Sequence, residues 1–307
     1  MNELWVEKYR PSTLDGYVFM NDEQRSQIEY WVNNKNVPNL LISGVQGTGK
    51  TTLIKILINA LEIHDYDLLQ INASRERGID IAREKIKNFS QTMPYGDLKV
   101  VFLDEVDYAT PDFQAALRGA IEEYSQTVRF FMTCNYPHKI IPALHSRCQG
   151  FHIDKLNKDE FTIRIATILS DENIDIELET LDMFVEATYP DLRKCINLCQ
   201  QNSTTGTLVL PSTKSSTVDF KLVLVDLIKK GKIREGRQLI CSQARPEEMD
   251  DIFRWCYENL DLWSATEDGQ DEAILIIRKA LVNHATCADA EINLAAMFVE
   301  LSQINQN

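Results

Sequence analysis

Residues 44–51 read Gly44-Val45-Gln46-Gly47-Thr48-Gly49-Lys50-Thr51, after the apolar run Leu40-Leu41-Ile42 and before Leu53-Ile54-Lys55-Ile56-Leu57-Ile58. The pattern predicts a short strand running through a glycine turn into a helix. In that setting the turn's backbone N–H groups can curl around phosphate oxygens, which then sit at a helix N-terminus where unpaired donors and the macrodipole favour negative charge. Lys50 would reach β- and γ-phosphates, and the Thr51 hydroxyl would ligate Mg²⁺.

Working outward, strand and helix signals alternate on either side of this turn. A second strand is expected over 68–72 and a helix follows 73–78, with Ile79, Ala82, Ile86 and Phe89 at helical spacing. Val100-Val101-Phe102-Leu103 reads as a buried strand ending in Asp104-Glu105-Val106-Asp107. A helix over 112–124, a strand over 128–133 ending in Cys134-Asn135, and a last strand over 150–153 complete the series. Alternation of this kind gives an α/β parallel sheet with ligands at the carboxyl ends of its strands. Upstream, Trp5-Val6-Glu7-Lys8-Tyr9-Arg10-Pro11 is an aromatic and basic run closed by proline, expected as an extended arm, and 22–33 is an amphipathic stretch.

From Asn157 onward the strand signals stop. A small helical unit is expected over 155–202, a Ser/Thr/Gly/Pro-rich linker over 203–218, and an all-helical unit over 219–307. Its helices are placed near 219–230, 232–243, 246–262, 267–283 and 286–304. The last is apolar at Ile292, Leu294, Ala295, Met297, Phe298 and Leu301, more than one face of a free helix needs. Either it is central to its own domain or it packs on another subunit; the second is favoured.

The 307 residues are 44% hydrophobic and 25% charged, as in an ordinary globular protein. No apolar run approaches the ~18 residues of a membrane span, and nothing in Met1 to Trp5 is expected to direct export. The seven cysteines are therefore read as reduced, and Cys195 and Cys199, four apart on a helix, as packing residues. A formal charge of −14 argues against indiscriminate coating of nucleic acid, so any DNA contact must be local. One local patch exists: Arg75, Arg77, Arg83, Lys85 and Lys87 outnumber Glu76, Asp80 and Glu84 at a helix start. Without base-reading motifs, such a surface would touch phosphate backbone, although a solvated helix face is the plain alternative.

The acidic pair narrows the chemistry. Asp104, directly after a buried strand beside the phosphate loop, can hold Mg²⁺, and Glu105 is placed to polarise an attacking water, which suits hydrolysis rather than transfer to a second substrate. Asn135 ends the neighbouring strand, where its amide could orient that water or touch the γ-phosphate; equally, it could be a turn residue before Tyr136-Pro137. Arg147 in Ser146-Arg147-Cys148 could act as a finger in trans, the first hint of oligomerisation. Arg193, in Pro190-Asp191-Leu192-Arg193, could report the γ-phosphate if the helical unit folds over the nucleotide.

Together these motifs resemble the clamp-loader ATPases of the AAA+ superfamily, of the replication factor C small-subunit type. The residues that carry it are Trp5 to Pro11, Gly44 to Thr51, Asn72-Ala73-Ser74 with Glu76 to Asp80, Asp104 to Asp107, Ser146-Arg147-Cys148 and Pro190 to Arg193, in the family's order. The last helix and the Lys8 to Thr13 arm are most similar to the T-even phage branch. The resemblance implies an AAA+ P-loop domain over 1–154, a helical lid over 155–202 and an all-α collar over 219–307. It further implies that Val6, Tyr9, Arg10 and Pro11 line an adenine pocket, and that Gly44, Gly47, Thr48, Gly49, Lys50, Thr51 and Thr52 hold the phosphates of ATP. Asp104 and Thr51 would bind Mg²⁺, Glu105 would activate water, and Asn135 and Arg193 would sense the γ-phosphate. Arg147 would reach a neighbour's ATP, and Arg75, Arg77, Arg83 and Lys87 would face primer–template DNA. Gln114 and Arg118 match the element that links DNA sensing to the site.

The implied partners are a sliding clamp, primer–template DNA and other clamp-loader subunits, as a homo-tetramer with a distinct fifth subunit, in the cytoplasm. The sequence departs from the family at Arg75, where an acid is usual, and at Val45-Gln46, where a proline is usual. Three rivals remain: a helicase loader, against which the Ser-Arg-Cys element, arm and collar argue; a subunit that binds nucleotide without turnover, which would be expected to lack Glu105 or an intact loop; and a small-molecule kinase, which would not need Arg147, a linker or a collar.

Overall fold

In a computed structural model, residues 3–75, 79–203, 206–210, 223–225, 227, 235–236, 239, 249–264, 266–284, 286–287 and 289–304 are described. Helices expected near 219–230 and 232–243 fall largely outside them, and so does Arg77. Five strands, β1 (Leu40–Gly44), β2 (Leu68–Asn72), β3 (Lys99–Asp104), β4 (Val128–Cys134) and β5 (Gln149–Ile153), form one parallel sheet in the order β2-β3-β4-β1-β5. The phosphate loop's strand thus lies between β4 and β5, with β3 one strand further on.

The longer helices follow from the pattern. α1 (Trp5–Lys8), α2 (Asp22–Asn33), α3 (Lys50–Ala60), α4 (Ile79–Gln91), α5 (Pro111–Glu123) and α6 (Pro142–His145) interleave with the strands. Because both sheet faces are covered, β3 is apolar from Val100 through Leu103 rather than alternating. Its Val101 and Leu103 join Leu41, Phe130, Met132, Ile86, Phe113, Leu117 and Ile121 in one core. On α3, Leu53, Ile54 and Leu57 are fully buried, and the helix packs on β1, β3 and β4. Thr110 caps α5 by accepting the Phe113 N–H at 3.3 Å, with Pro111 in the first turn where its missing donor costs nothing.

The run before Pro11 is not extended as expected. Trp5–Lys8 make one helical turn, because proline restricts its immediate predecessor, Arg10, and leaves residues three or more back free to turn. The turn is tied down elsewhere: the Trp5 N–H donates to Gln200 Oε1 at 3.1 Å, and Arg164 Nη2 donates to the Tyr9 carbonyl at 2.7 Å.

Beyond the sheet come α7 (Lys158–Asp171), α8 (Leu178–Thr188), α9 (Leu192–Gln201), α10 (Met249–Glu258), α11 (Glu267–His284) and α12 (Ala290–Ile304). Packing divides the chain into two units, Met1–Asp171 with Tyr189–Gln200, and Glu172–Thr188 with Gln201–Asn307. In the second unit α11 packs along α12. Leu294, Met297, Phe298 and Leu301 of α12 are buried there, with Phe298 against the Trp263 ring at 5.6 Å. Ile292 and Val299 of α12 and Leu275, Leu281 and Val282 of α11 stay exposed. Among the described residues no helix is long and apolar enough to cross a membrane.

Candidate nucleotide site

The glycine loop leaves β1 at Gly44 and enters α3 at Lys50. Gly47 has φ +77°, and a Cβ there would lie 1.7 Å from Asp191 Oδ1, so both backbone and space exclude a side chain. Asp191 immediately precedes α9 and accepts the Lys194 N–H at 2.9 Å, and burial raises its carboxyl pKa. The phosphate loop and α9 are thus packed against each other within one unit. Lys50 Nζ donates to the carbonyls of Gly44 at 2.9 Å and Val45 at 2.6 Å. Its burial lowers the ammonium pKa to about 8 from 10.5, since desolvation disfavours the charged form. A desolvated ammonium hydrogen-bonded to two neutral carbonyls is ready to exchange them for anionic oxygen.

Opposite the loop, Asp104 Oδ1 accepts from the Thr51 hydroxyl at 3.0 Å and from the Thr133 hydroxyl. Thr133 Oγ1 in turn accepts the Glu105 N–H at 3.0 Å, so one hydroxyl from β4 fixes both members of the acidic pair. Glu105 itself is left-handed, at φ 59° and ψ 47°, a conformation costing an ordinary residue about 1 kcal/mol and concentrated at functional sites. Asn135 is set by Asp107, a buried residue whose Oδ2 accepts the N–H groups of Asn135 and Tyr136, each at 3.3 Å. Burial pushes the Cys134 thiol up to about 12, which rules it out as a nucleophile at neutral pH.

Gly47, Gly49, Lys50, Thr51, Thr52, Asp104, Glu105, Asn135 and Arg193 line one cavity of about 390 Å³, together with Arg10, Thr133, Lys55 and Gln70. The hydroxyl and carboxylate of Thr51 and Asp104 form an oxygen pair of the hard-donor kind that suits Mg²⁺. An adjoining narrow cavity of about 70 Å³ is lined by Val6, Tyr9, Arg10, Pro11, Gly47, Thr48, Gly49, Thr52 and Arg193, largely apolar on one side. Gly16, Tyr17, Val18, Leu156, Arg164, Leu192 and Ile196 complete it. Tyr17 also donates its buried hydroxyl to the Thr48 carbonyl at 3.3 Å, holding the loop. No site role is legible in the sequence for these seven residues or for Thr133, Lys55 and Gln70 of the larger cavity; Thr133 at a strand end and Leu192 beside Arg193 are the ones whose positions carry a signal. Gly44 lines neither cavity; its part is the carbonyl on Lys50 and a close approach to the Ile153 backbone.

The other predicted residues lie apart. Arg147 sits in the turn between α6 and β5, where Glu122 of α5 pairs with its guanidinium. Gln114 is buried and bonds the carbonyls of Ala109 and Lys139 and the N–H of Ile141, tying α5 to the segments after Glu105 and before Arg147. Arg75, Arg83, Lys87 and Arg118 are exposed. Arg83 and Lys87 line a groove of about 600 Å³ between α4 and α5, floored by Ile86, Phe113 and Leu117.

Comparison with known proteins places this geometry. The sequence model of the AAA family, "ATPase family associated with various cellular activities", matches residues 40–154. The replication factor C small subunit of Methanococcus vannielii is 37% identical over 247 residues, covering 78% of this chain and 78% of its own. That of Aeropyrum pernix is 40% identical over 238 residues, covering 76% and 70%, and that of Methanocella arvoryzae 33% over 310 residues, covering 96% and 92%. The solved Thermotoga maritima RuvB Holliday junction branch migration motor shares the fold, with a TM-score of 0.54 at 16% identity over 72% of this chain and 79% of that one. With the phosphate loop, the strand-end acids and this similarity running well beyond them, the chain belongs to the replication factor C small-subunit family of AAA ATPases and is an ATP hydrolase.

Proposed function

We propose that this ATPase is a subunit of a DNA sliding-clamp loader, in which ATP binding holds the clamp open and grips primer–template DNA and hydrolysis releases the closed clamp. The observation that carries the reading is the division of labour around the cavity. Lys50, Thr51, Asp104, Glu105, Asn135 and Arg193 converge on it, while Arg147, of the family's Ser-Arg-Cys element, is held outside it on Glu122. A site built this way is completed by a neighbour and so can be switched by assembly.

Within the chain, Lys50 exchanges its two carbonyls for β- and γ-phosphate oxygens. Thr51 and Asp104 would hold Mg²⁺, which supplies charge neutralisation at the phosphates when bound. Glu105, aimed by its left-handed backbone and the Thr133 hydroxyl, takes the proton of the attacking water; Asn135 and Arg193 contact the γ-phosphate. The apolar cavity beside Val6, Tyr9 and Pro11 takes the adenine. Arg75, Arg77, Arg83 and Lys87 are assigned to the DNA backbone, residues 155–202 to a lid and 219–307 to an oligomerising collar. The exposed apolar residues of α11 and α12 suit that collar role. The phage-like arm and last helix favour a large subunit of the T-even type, four copies with one distinct partner, acting in the host cytoplasm.

The test is steady-state ATP hydrolysis by the purified chain, alone and with primer–template DNA, single-stranded DNA, and a candidate clamp plus companion subunit. Turnover rising most with primer–template and clamp together is the expected result. Turnover indifferent to both would point to a helicase loader or another ATPase of the fold.

A further inference from the structure

The guanidinium of Arg147 is already spoken for. Its Nε donates to Glu122 Oε1 at 2.7 Å, and Nη2 donates to the same oxygen. Its Nη1 donates to the Ala143 carbonyl at 2.8 Å and to Ser146 Oγ at 3.1 Å. These contacts take four of the five N–H donors that a guanidinium carries. An arginine binds phosphate through two parallel donors on one edge of its fork. Here one edge lies on a carboxylate and both hydrogens of Nη1 are committed to the turn, so no edge is left with two donors open.

We infer that Glu122 is a positioning residue that parks Arg147 within its own subunit, competing with the neighbour's nucleotide for the guanidinium and restraining hydrolysis until the ring closes on DNA. This rests on the reading of Arg147 as a trans-acting arginine. The pair is suited to exchange rather than to permanent structure. Glu122 and Arg147 are half and one-third exposed, a setting in which ion pairs are weak and a phosphate can displace the carboxylate. Glu122 also rides on the last turn of α5, the helix whose first turn is anchored through Gln114 and whose exposed side carries Arg118. A shift of that helix would move the carboxylate relative to the α6–β5 turn and alter how firmly Arg147 is held.

The experiment compares ATP turnover of the full chain in its assembled complex, with and without primer–template DNA, for wild type, Glu122→Ala, Glu122→Asp, Arg147→Ala and the double variant Glu122→Ala/Arg147→Ala. Glu122→Ala is expected to raise DNA-independent kcat by about two- to fivefold, the range set by a half-exposed ion pair, with KM for ATP unchanged. Glu122→Asp should restore the low basal rate. The double variant should show no rise, since the effect runs through Arg147. Basal turnover that stays the same or falls in Glu122→Ala, while Arg147→Ala loses DNA stimulation, overturns the parking role alone. If Arg147→Ala keeps wild-type stimulation, it is the trans-arginine reading that fails. Glu122 lies on the surface, so circular dichroism identical to wild type is expected for both of its variants.

Discussion

Arg193 and Arg147 are the same residue type, both expected at a γ-phosphate, yet the fold treats them differently. Arg193 begins a helix packed on the phosphate loop through Asp191 and Gly47, and it lines both cavities. Arg147 lies in a short turn and faces a carboxylate of its own subunit. An arginine that completes a site within one chain contributes to binding whenever the chain is folded, whereas one held outside can contribute only when another molecule comes to it. On the proposed function, that contrast would separate holding ATP from deciding when to cleave it.

The sharpest way to break the comparison is to remove each arginine in turn. Arg147→Ala is expected to leave ATP affinity unchanged and to lower DNA-stimulated hydrolysis about a thousandfold, the scale of arginine fingers elsewhere. Arg193→Ala is expected to weaken ATP binding itself by roughly tenfold, about the worth of a charge-assisted hydrogen bond. Equilibrium binding of a fluorescent ATP analogue alongside stimulated turnover reads both, and equal losses of affinity in the two variants would erase the distinction.

A second prediction concerns the hydroxyl that joins Asp104 to Glu105. Thr133→Val keeps shape but removes the bonds to both acids, and should cut kcat about tenfold with little change in ATP affinity, on the scale of one lost buried hydrogen bond or two. An unaltered kcat would mean that Glu105 is aimed by its backbone alone.

The pH dependence of ATP binding tests Lys50. Below about pH 8 the group is protonated in the free protein, so affinity should be flat. Above that value the free protein sheds a proton that phosphate binding must restore, so apparent Kd should rise toward about tenfold per pH unit. Lys50→Arg, which stays charged, should remove that rise, and a rise surviving in it would assign the titration to another group.

The smallest effect is expected on the exposed face. Arg83→Ala with Lys87→Ala should weaken primer–template binding and reduce the slope of log affinity against log salt by about 1.8, two phosphate contacts' worth. An unchanged slope would return both side chains to the role of a solvated helix face.

Much of this molecule is legible in its sequence, for identifiable reasons. The glycine loop, Lys50 and Thr51 are contiguous and their conformational demands are local, so eight residues reveal the turn, its strand and its helix. Asp104 and Glu105 follow four apolar residues that fix strand register and hence the end at which they emerge. The proline at position 11 misled, because its reach backward along the chain is a single residue and the turn at Trp5–Lys8 lies beyond it.

The α/β alternation, the phosphate loop and the acids at the strand end are each written in a short run of residues with its own period or spacing, and so follow from the chain alone. Only the tertiary structure decided that Thr133 would bridge the acidic pair, that Tyr17, Arg164, Leu192 and Ile196 would wall the apolar cavity, and that Glu122 would hold Arg147. These partners come from strands and helices far apart in the chain. A hydrogen bond or an apolar contact between such residues leaves no pattern in the sequence, because it arises when sheet order and helix packing bring them within a few ångströms of each other.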